Sequence, residues 1–217
     1  MLTYLITGFA LDCRVLESLR LPASLGFRFI DLIPALPDES LPKYALRLAQ
    51  TIGFQPGDRI GGISMGGMLA LEIARECRAS QILLIASCTH PRFIRFPFRL
   101  AGRLAPHVPQ VVLHQIFTYL PFCLRQLGMH TAQGEALLKD IMGQFPPDRI
   151  QSLSRMILQW KGCEPTVPYL ALHSEGDWLI RPPLHLSALT LLKGRNHLLS
   201  ISHHDATRQF LIEAGTP

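Results

Sequence analysis

The chain has 217 residues, 48% of them hydrophobic and 17% charged, with a formal net charge of +5. That length suits one domain with a sizeable core, and the apolar fraction excludes a disordered chain. No apolar run approaches the roughly 18 residues of a membrane helix; no dense Lys/Arg block points to nucleic acid; and the five cysteines form no C-x-x-C pair, which argues against a zinc site or a disulfide framework.

The predicted elements begin with Leu2–Thr7, a run of β-formers that ends at Gly8. It reads as a first strand and not as a secretory signal, so a cytoplasmic location with free thiols is expected. Further strands are expected at Phe27–Ile33, Arg59–Ser64, Gln81–Ser87, Pro168–Ser174 and Ser187–Leu192. Runs this short and apolar on both faces are typical of parallel strands covered by helices. Leu41–Ile52 carries Leu41, Tyr44, Ala45 and Leu48 at helical spacing, with Ser40 placed to cap it. Met65–Cys77 and Asp205–Ala214 are the other helices of this alternating pattern. Alternation of β and α implies a doubly wound, mainly parallel sheet of about six strands with helices on both faces.

One stretch breaks the alternation. Residues 88–164 hold no convincing strand, only helix-like pattern punctuated by Pro91, Pro97, Pro106, Pro109, Pro121, Pro146 and Pro147. An insertion this long is a substructure and not a plain loop. The expected organisation is therefore a core of 1–87 and 165–217 with a helical insertion, 88–164, before the penultimate strand. The charge is concentrated there: between Thr89 and Cys163 nine Lys/Arg face three Asp/Glu, a net +6 that leaves −1 for the rest.

The strongest local signal is Gly62-Ile63-Ser64-Met65-Gly66, a G-x-S-x-G at a predicted strand-to-helix junction. A serine on such a turn holds a strained backbone and presents its Oγ above the sheet edge. The flanking glycines remove side chains that would collide there. A nucleophilic serine needs a base, and the base an orienting acid. Asp177, just past the fifth predicted strand, and His197, just past the sixth, supply the order acid then histidine on the same sheet edge as Ser64. Glu175 is a competitor for the acid; His173, at a strand end, reads as packed and structural, and His203 and His204 as surface residues. An oxyanion hole needs two backbone N–H groups. Met65 would give one and Phe9, in the loop after the first strand, the other, with Ala10 as the second option.

Thr7-Gly8-Phe9, Gly62-Ile63-Ser64-Met65-Gly66-Gly67, His173-Ser174-Glu175-Gly176-Asp177 and Gly194-Arg195-Asn196-His197 resemble successive signature segments of the α/β-hydrolase superfamily. Within it the chain looks most like small bacterial carboxylesterases and thioesterases, including the pimeloyl-carrier-protein methyl ester esterase group. The resemblance implies that residues 88–164 form a helical cap over the site. The chain departs from the family pattern in carrying Thr7-Gly8 where His-Gly is usual, and in lacking the leading β-hairpin.

A cap over the triad implies an apolar pocket, for which Phe93, Phe96, Phe117 and Trp178 are the candidates, with Phe98, Leu100, Val111, Val112, Ile116, Leu120, Phe122 and Met129 as further apolar cap residues. Arg92, Arg95, Arg99 and Arg103 follow at helical spacing and are expected to form a positive stripe. Its anionic partner would be an acyl-carrier protein, a CoA thioester or a membrane surface. The expected function is hydrolysis of a carboxylic ester or thioester through an acyl-enzyme, without metal or organic cofactor. A lyase, a carbon–carbon bond hydrolase, an acyltransferase and a non-catalytic ligand-binding protein stay open as alternatives.

Overall fold

The computed structural model describes residues 1–126 and 131–216. Its centre is one six-stranded sheet, parallel throughout, in the order β2-β1-β3-β4-β5-β6. The strands are β1 (Thr3–Ile6), β2 (Phe27–Ile30), β3 (Arg59–Ile63), β4 (Gln81–Ile85), β5 (Tyr169–Ser174) and β6 (Leu189–Leu192). Each falls inside its predicted run. The inner strands β1, β3 and β4 are buried on both faces, which is why their sequences do not alternate.

The helices are α1 (Arg14–Glu17), α2 (Leu41–Thr51), α3 (Met65–Cys77), α4 (Phe96–Leu104), α5 (Gln110–Gln126), α6 (Ala132–Gln144), α7 (Pro147–Gln159), α8 (Leu199–Ser202) and α9 (His204–Gly215). Two of them, α1 and α8, are single turns with no sequence signal of their own. In α2 the predicted stripe Leu41, Tyr44, Ala45 and Leu48 is buried, and the Tyr44 hydroxyl donates to the Ile33 carbonyl at 2.7 Å. Each leucine buried in this way contributes about 2 kcal/mol. Ser40 stands at the N-cap of α2 but its side chain makes no cap bond. Pro42, the second helical residue, lacks one of the N–H groups such a cap serves.

Between β4 and β5 the chain runs through α4 to α7. Prolines punctuate this insertion. Pro97 and Pro147 stand in the first turns of α4 and α7, where a missing N–H costs nothing, and only Pro121 lies inside a helix, α5. The insertion leaves and rejoins the sheet side by side, since Cys163 N–H donates to the Thr89 carbonyl at 2.8 Å. Two clamps hold it to the core. Arg95 N–H donates to Leu179 O at 2.9 Å and Arg181 N–H to Phe93 O at 2.8 Å. On the other side, the Trp160 indole N–H donates at 2.6 Å to Glu72, a carboxylate buried on α3 and ion-paired with Arg75. Among the described residues no helix is long and apolar enough to cross a membrane.

Candidate active site

β3 ends in Ile63 and α3 starts at Met65, so Ser64 alone makes the turn. Its backbone sits at φ 54°, ψ −116°, a conformation that L-residues adopt only when the surroundings impose it. Here Ser64 N–H donates to the Ile85 carbonyl at 2.9 Å, and the Ser87 hydroxyl donates to Ser64 O at 2.7 Å. The glycines are dictated by contact. A Cβ on Gly66 would run into the Ile6 carbonyl and lie 2.6 Å from Thr7 O, and one on Gly62 would strike Gly66.

The Ser64 hydroxyl meets His197 Nε2 at 2.9 Å, and His197 Nδ1 meets Asp177 Oδ2 at 2.7 Å. A carboxylate only accepts, so Nδ1 carries the ring proton and Nε2 turns its lone pair toward Ser64. All three residues are buried. Asp177 Oδ1 accepts the N–H groups of Leu179 at 2.8 Å and Ile180 at 2.9 Å. Burial by itself raises the Asp177 pKa, but the charge and hydrogen bonds of His197 and His173 outweigh it, holding the carboxyl well below its ordinary 3.8. Glu175, the competing acid, is exposed.

His173 was missed as a member of this group. Its Nε2 lies 3.1 Å from Asp177 Oδ2 and 3.1 Å from Ile180 O. Both are acceptors, so Nε2 holds a proton, and Asp177 takes an imidazole N–H from each side. The only sequence signal was the i, i+4 spacing of His173 and Asp177 across a strand end. Ser87 was missed too, and it has no signal beyond following β4.

After β1 the chain turns through Gly8-Phe9-Ala10-Leu11, with Leu11 N–H donating to Gly8 O at 3.2 Å and Ala10 at φ 55°. Among the described residues the N–H groups of Phe9 and Met65 donate to no protein acceptor. A Cβ on Gly8 would stand 3.4 Å from that of Ser64, so this loop borders the serine. The Thr7 hydroxyl, standing where the resemblance expects histidine, is buried without a partner.

The candidate pocket residues divide. Trp178 lies edge-on to the His197 ring, centroids 5.8 Å apart, and Phe98 lies edge-on to Trp178 at 5.2 Å. Phe117 packs on Phe9 at 5.8 Å, joined there by Phe145 at 6.0 Å. Phe96 does not belong to this group. It is 60% exposed, because α4 turns Phe98 and Gly102 inward and so faces Phe96, Leu100 and Leu104 out. Phe93 stacks on His185 at 5.4 Å and under Arg92. Met129 and His130 lie outside the described residues.

The four-arginine stripe is corrected as well. Helix α4 starts only at Phe96, because Pro97 suits the first turn of a helix and not its interior. Arg92 and Arg95 therefore precede it. The Arg95 guanidinium turns inward, where Nε donates to the Asp177 carbonyl at 2.7 Å, and Arg99 Nε is buried. Arg103 is exposed on α4.

No family model and no curated sequence matches this chain. Solved structures do. A thermophilic esterase from Thermogutta terrifontis is 18% identical, with a TM-score of 0.70 over 99% of this chain and 89% of that one. An esterase from Exiguobacterium antarcticum is 14% identical, with a TM-score of 0.72 over 99% and 92%. An enol-lactonase from Burkholderia xenovorans is 15% identical, with a TM-score of 0.67 over 98% and 91%. The chain has the α/β-hydrolase fold. In α/β-hydrolase terms, Ser64 is at the strand-to-helix elbow, Asp177 and His197 follow β5 and β6, and α4 to α7 form the inserted helices.

Proposed function

We propose that this α/β-hydrolase cleaves a carboxylic ester or thioester with an apolar acyl part, through an acyl-enzyme on Ser64. The observation that carries the reading is the unbroken chain of hydrogen bonds from the Ser64 hydroxyl through His197 to Asp177. His197 Nε2 removes the hydroxyl proton as Ser64 Oγ attacks the carbonyl carbon. The oxygen gains negative charge, which the N–H groups of Phe9 and Met65 stabilise as the oxyanion hole of this reading. The resulting imidazolium is stabilised by the Asp177 carboxylate. It returns its proton to the departing alcohol or thiol, leaving the acyl group on Ser64. Water, activated by His197, then repeats the sequence and releases the carboxylic acid.

Trp178 and Phe117 support an apolar acyl group, since they bring aromatic surface to the histidine and to the Phe9 loop. The leaving group we infer is a small alcohol or the thiol of CoA or an acyl-carrier protein. A panel of p-nitrophenyl esters and acyl-CoA thioesters of graded length tests this. Turnover that rises with acyl length and disappears in Ser64→Ala is the expected result. A fluorophosphonate probe should label Ser64 in the intact protein. Failure of the folded protein to react would remove the nucleophile from the reading.

A further inference from the structure

The cap helix α5 is apolar on two sides. Leu113, Phe117, Leu120 and Leu124 turn toward the protein, where α5 packs on α6 and α7. Val112, Ile116, Tyr119 and Phe122, at helical spacing on an adjoining side, are 39%, 52%, 67% and 51% exposed. Helix α4 repeats the pattern with Phe96, Leu100 and Leu104 one turn apart and exposed. Of the twelve exposed large hydrophobic side chains among the described residues, eight fall between Phe96 and Phe122. Scattered exposed apolar residues are ordinary, but a row of large ones at helical spacing marks an interaction surface.

Charge selects the occupant. From Pro91 to Gln126 the chain carries five arginines and no aspartate or glutamate; Arg95 and Arg99 turn inward, and Arg125 pairs with Glu135. Arg92 and Arg103 are exposed and pair with no carboxylate among the described residues. A second copy of this chain fits poorly, because a two-fold contact through this segment would bring Arg92 and Arg103 of both copies together with no aspartate or glutamate in the segment to pair with them. A bilayer with anionic headgroups fits both features. Phe, Leu, Ile and Val side chains enter the acyl boundary, Tyr119 suits the headgroup level, and Arg92 and Arg103 meet the phosphates.

We propose that the outer face of α4 and α5 docks the protein on an anionic lipid surface, lying on the bilayer without crossing it. Docking does not depend on the catalytic reading, so binding is measured on the Ser64→Ala variant as well as on the wild type. The experiment is co-sedimentation with phosphatidylcholine vesicles, pure or about one-third phosphatidylglycerol, at low and high salt. Both proteins should partition onto the anionic vesicles on the order of tenfold more strongly than onto the neutral ones. Ile116→Glu/Phe122→Glu should lose that binding while melting as the wild type does. Arg103→Glu, at an exposed position, should lower the anionic preference while keeping the exposed apolar side chains, and serves if the double variant fails to fold. Equal affinity for the two vesicle types, or binding to neither, overturns the proposal. So does a dimer in sedimentation equilibrium that Ile116→Glu/Phe122→Glu dissociates, and so does capture by an acidic acyl-carrier protein without vesicle binding.

Discussion

His173 and Asp177, four residues apart across the end of β5, face each other with the imidazole Nε2 3.1 Å from the carboxylate. The acid that orients His197 is thus itself held by a second histidine and by two backbone N–H groups. An arrangement of this density fixes the carboxylate plane, and through it the ring of His197.

Replacing His173 by Gln should therefore lower kcat by about tenfold or more while leaving KM nearly unchanged, since outer partners of a reacting group typically carry that much. His173→Gln keeps an N–H donor of similar reach, so it should retain more activity than His173→Ala. Steady-state kinetics on whichever member of the ester and thioester panel turns over fastest, with a pH profile, separates positioning from folding. A purely structural role would lower the melting temperature of both variants and leave the profile of the folded enzyme in place.

Asp177→Asn should cost far more. An amide at this position donates as well as accepts and lets His197 adopt the wrong tautomer, for which about 10⁴-fold in kcat is the expected scale. Pre-steady-state acylation is the measurement. A loss confined to deacylation would show that Asp177 is not needed for the first proton transfer.

The same aspartate links stability to acidity. Its folded carboxyl lies below the ordinary 3.8, because His197 and His173 outweigh burial. The sign follows: the stabilisation is complete above about pH 4 and drains away as the solution is acidified past the ordinary carboxylate value. The difference in melting temperature between wild type and Asp177→Asn should therefore be largest near neutral pH and shrink near pH 3. A difference that grows on acidification would contradict the assignment.

Gly66→Ala should fail to accumulate as folded protein, or lose several kcal/mol, since its Cβ would press into the Ile6 and Thr7 carbonyls at the C-terminal end of β1. Gly143→Ala, where a Cβ meets nothing, is the control. Chemical denaturation of the two variants gives the comparison, and equal midpoints would mean that the elbow relaxes to accept a methyl group.

Thiol reagents should distinguish the cysteines. Cys88 is fully buried and burial pushes its thiol up to about 12, and Cys163 is raised to about 11 for the same reason. Cys123 is exposed. Iodoacetamide on the native protein, read by mass spectrometry, should modify Cys123 first and leave Cys88 intact until unfolding.

The sequence by itself determined the sheet and brought Ser64, Asp177 and His197 to one edge of it. Short doubly apolar runs, glycines around Ser64, and an acid and a histidine after two later strands are local patterns, and a parallel sheet brings the ends of its strands to one edge whatever else the chain does. The tertiary structure alone decided what the residues of the inserted helices face. Phe96 points out and Phe98 in, Arg95 reaches the Asp177 carbonyl 82 positions away, and Trp160 finds Glu72 across 88. These outcomes turn on where a helix starts and how it is rotated against its neighbours. Rotation by a third of a turn exchanges an inward side chain for an outward one, and a segment apolar on both sides carries no periodic signal to choose between them.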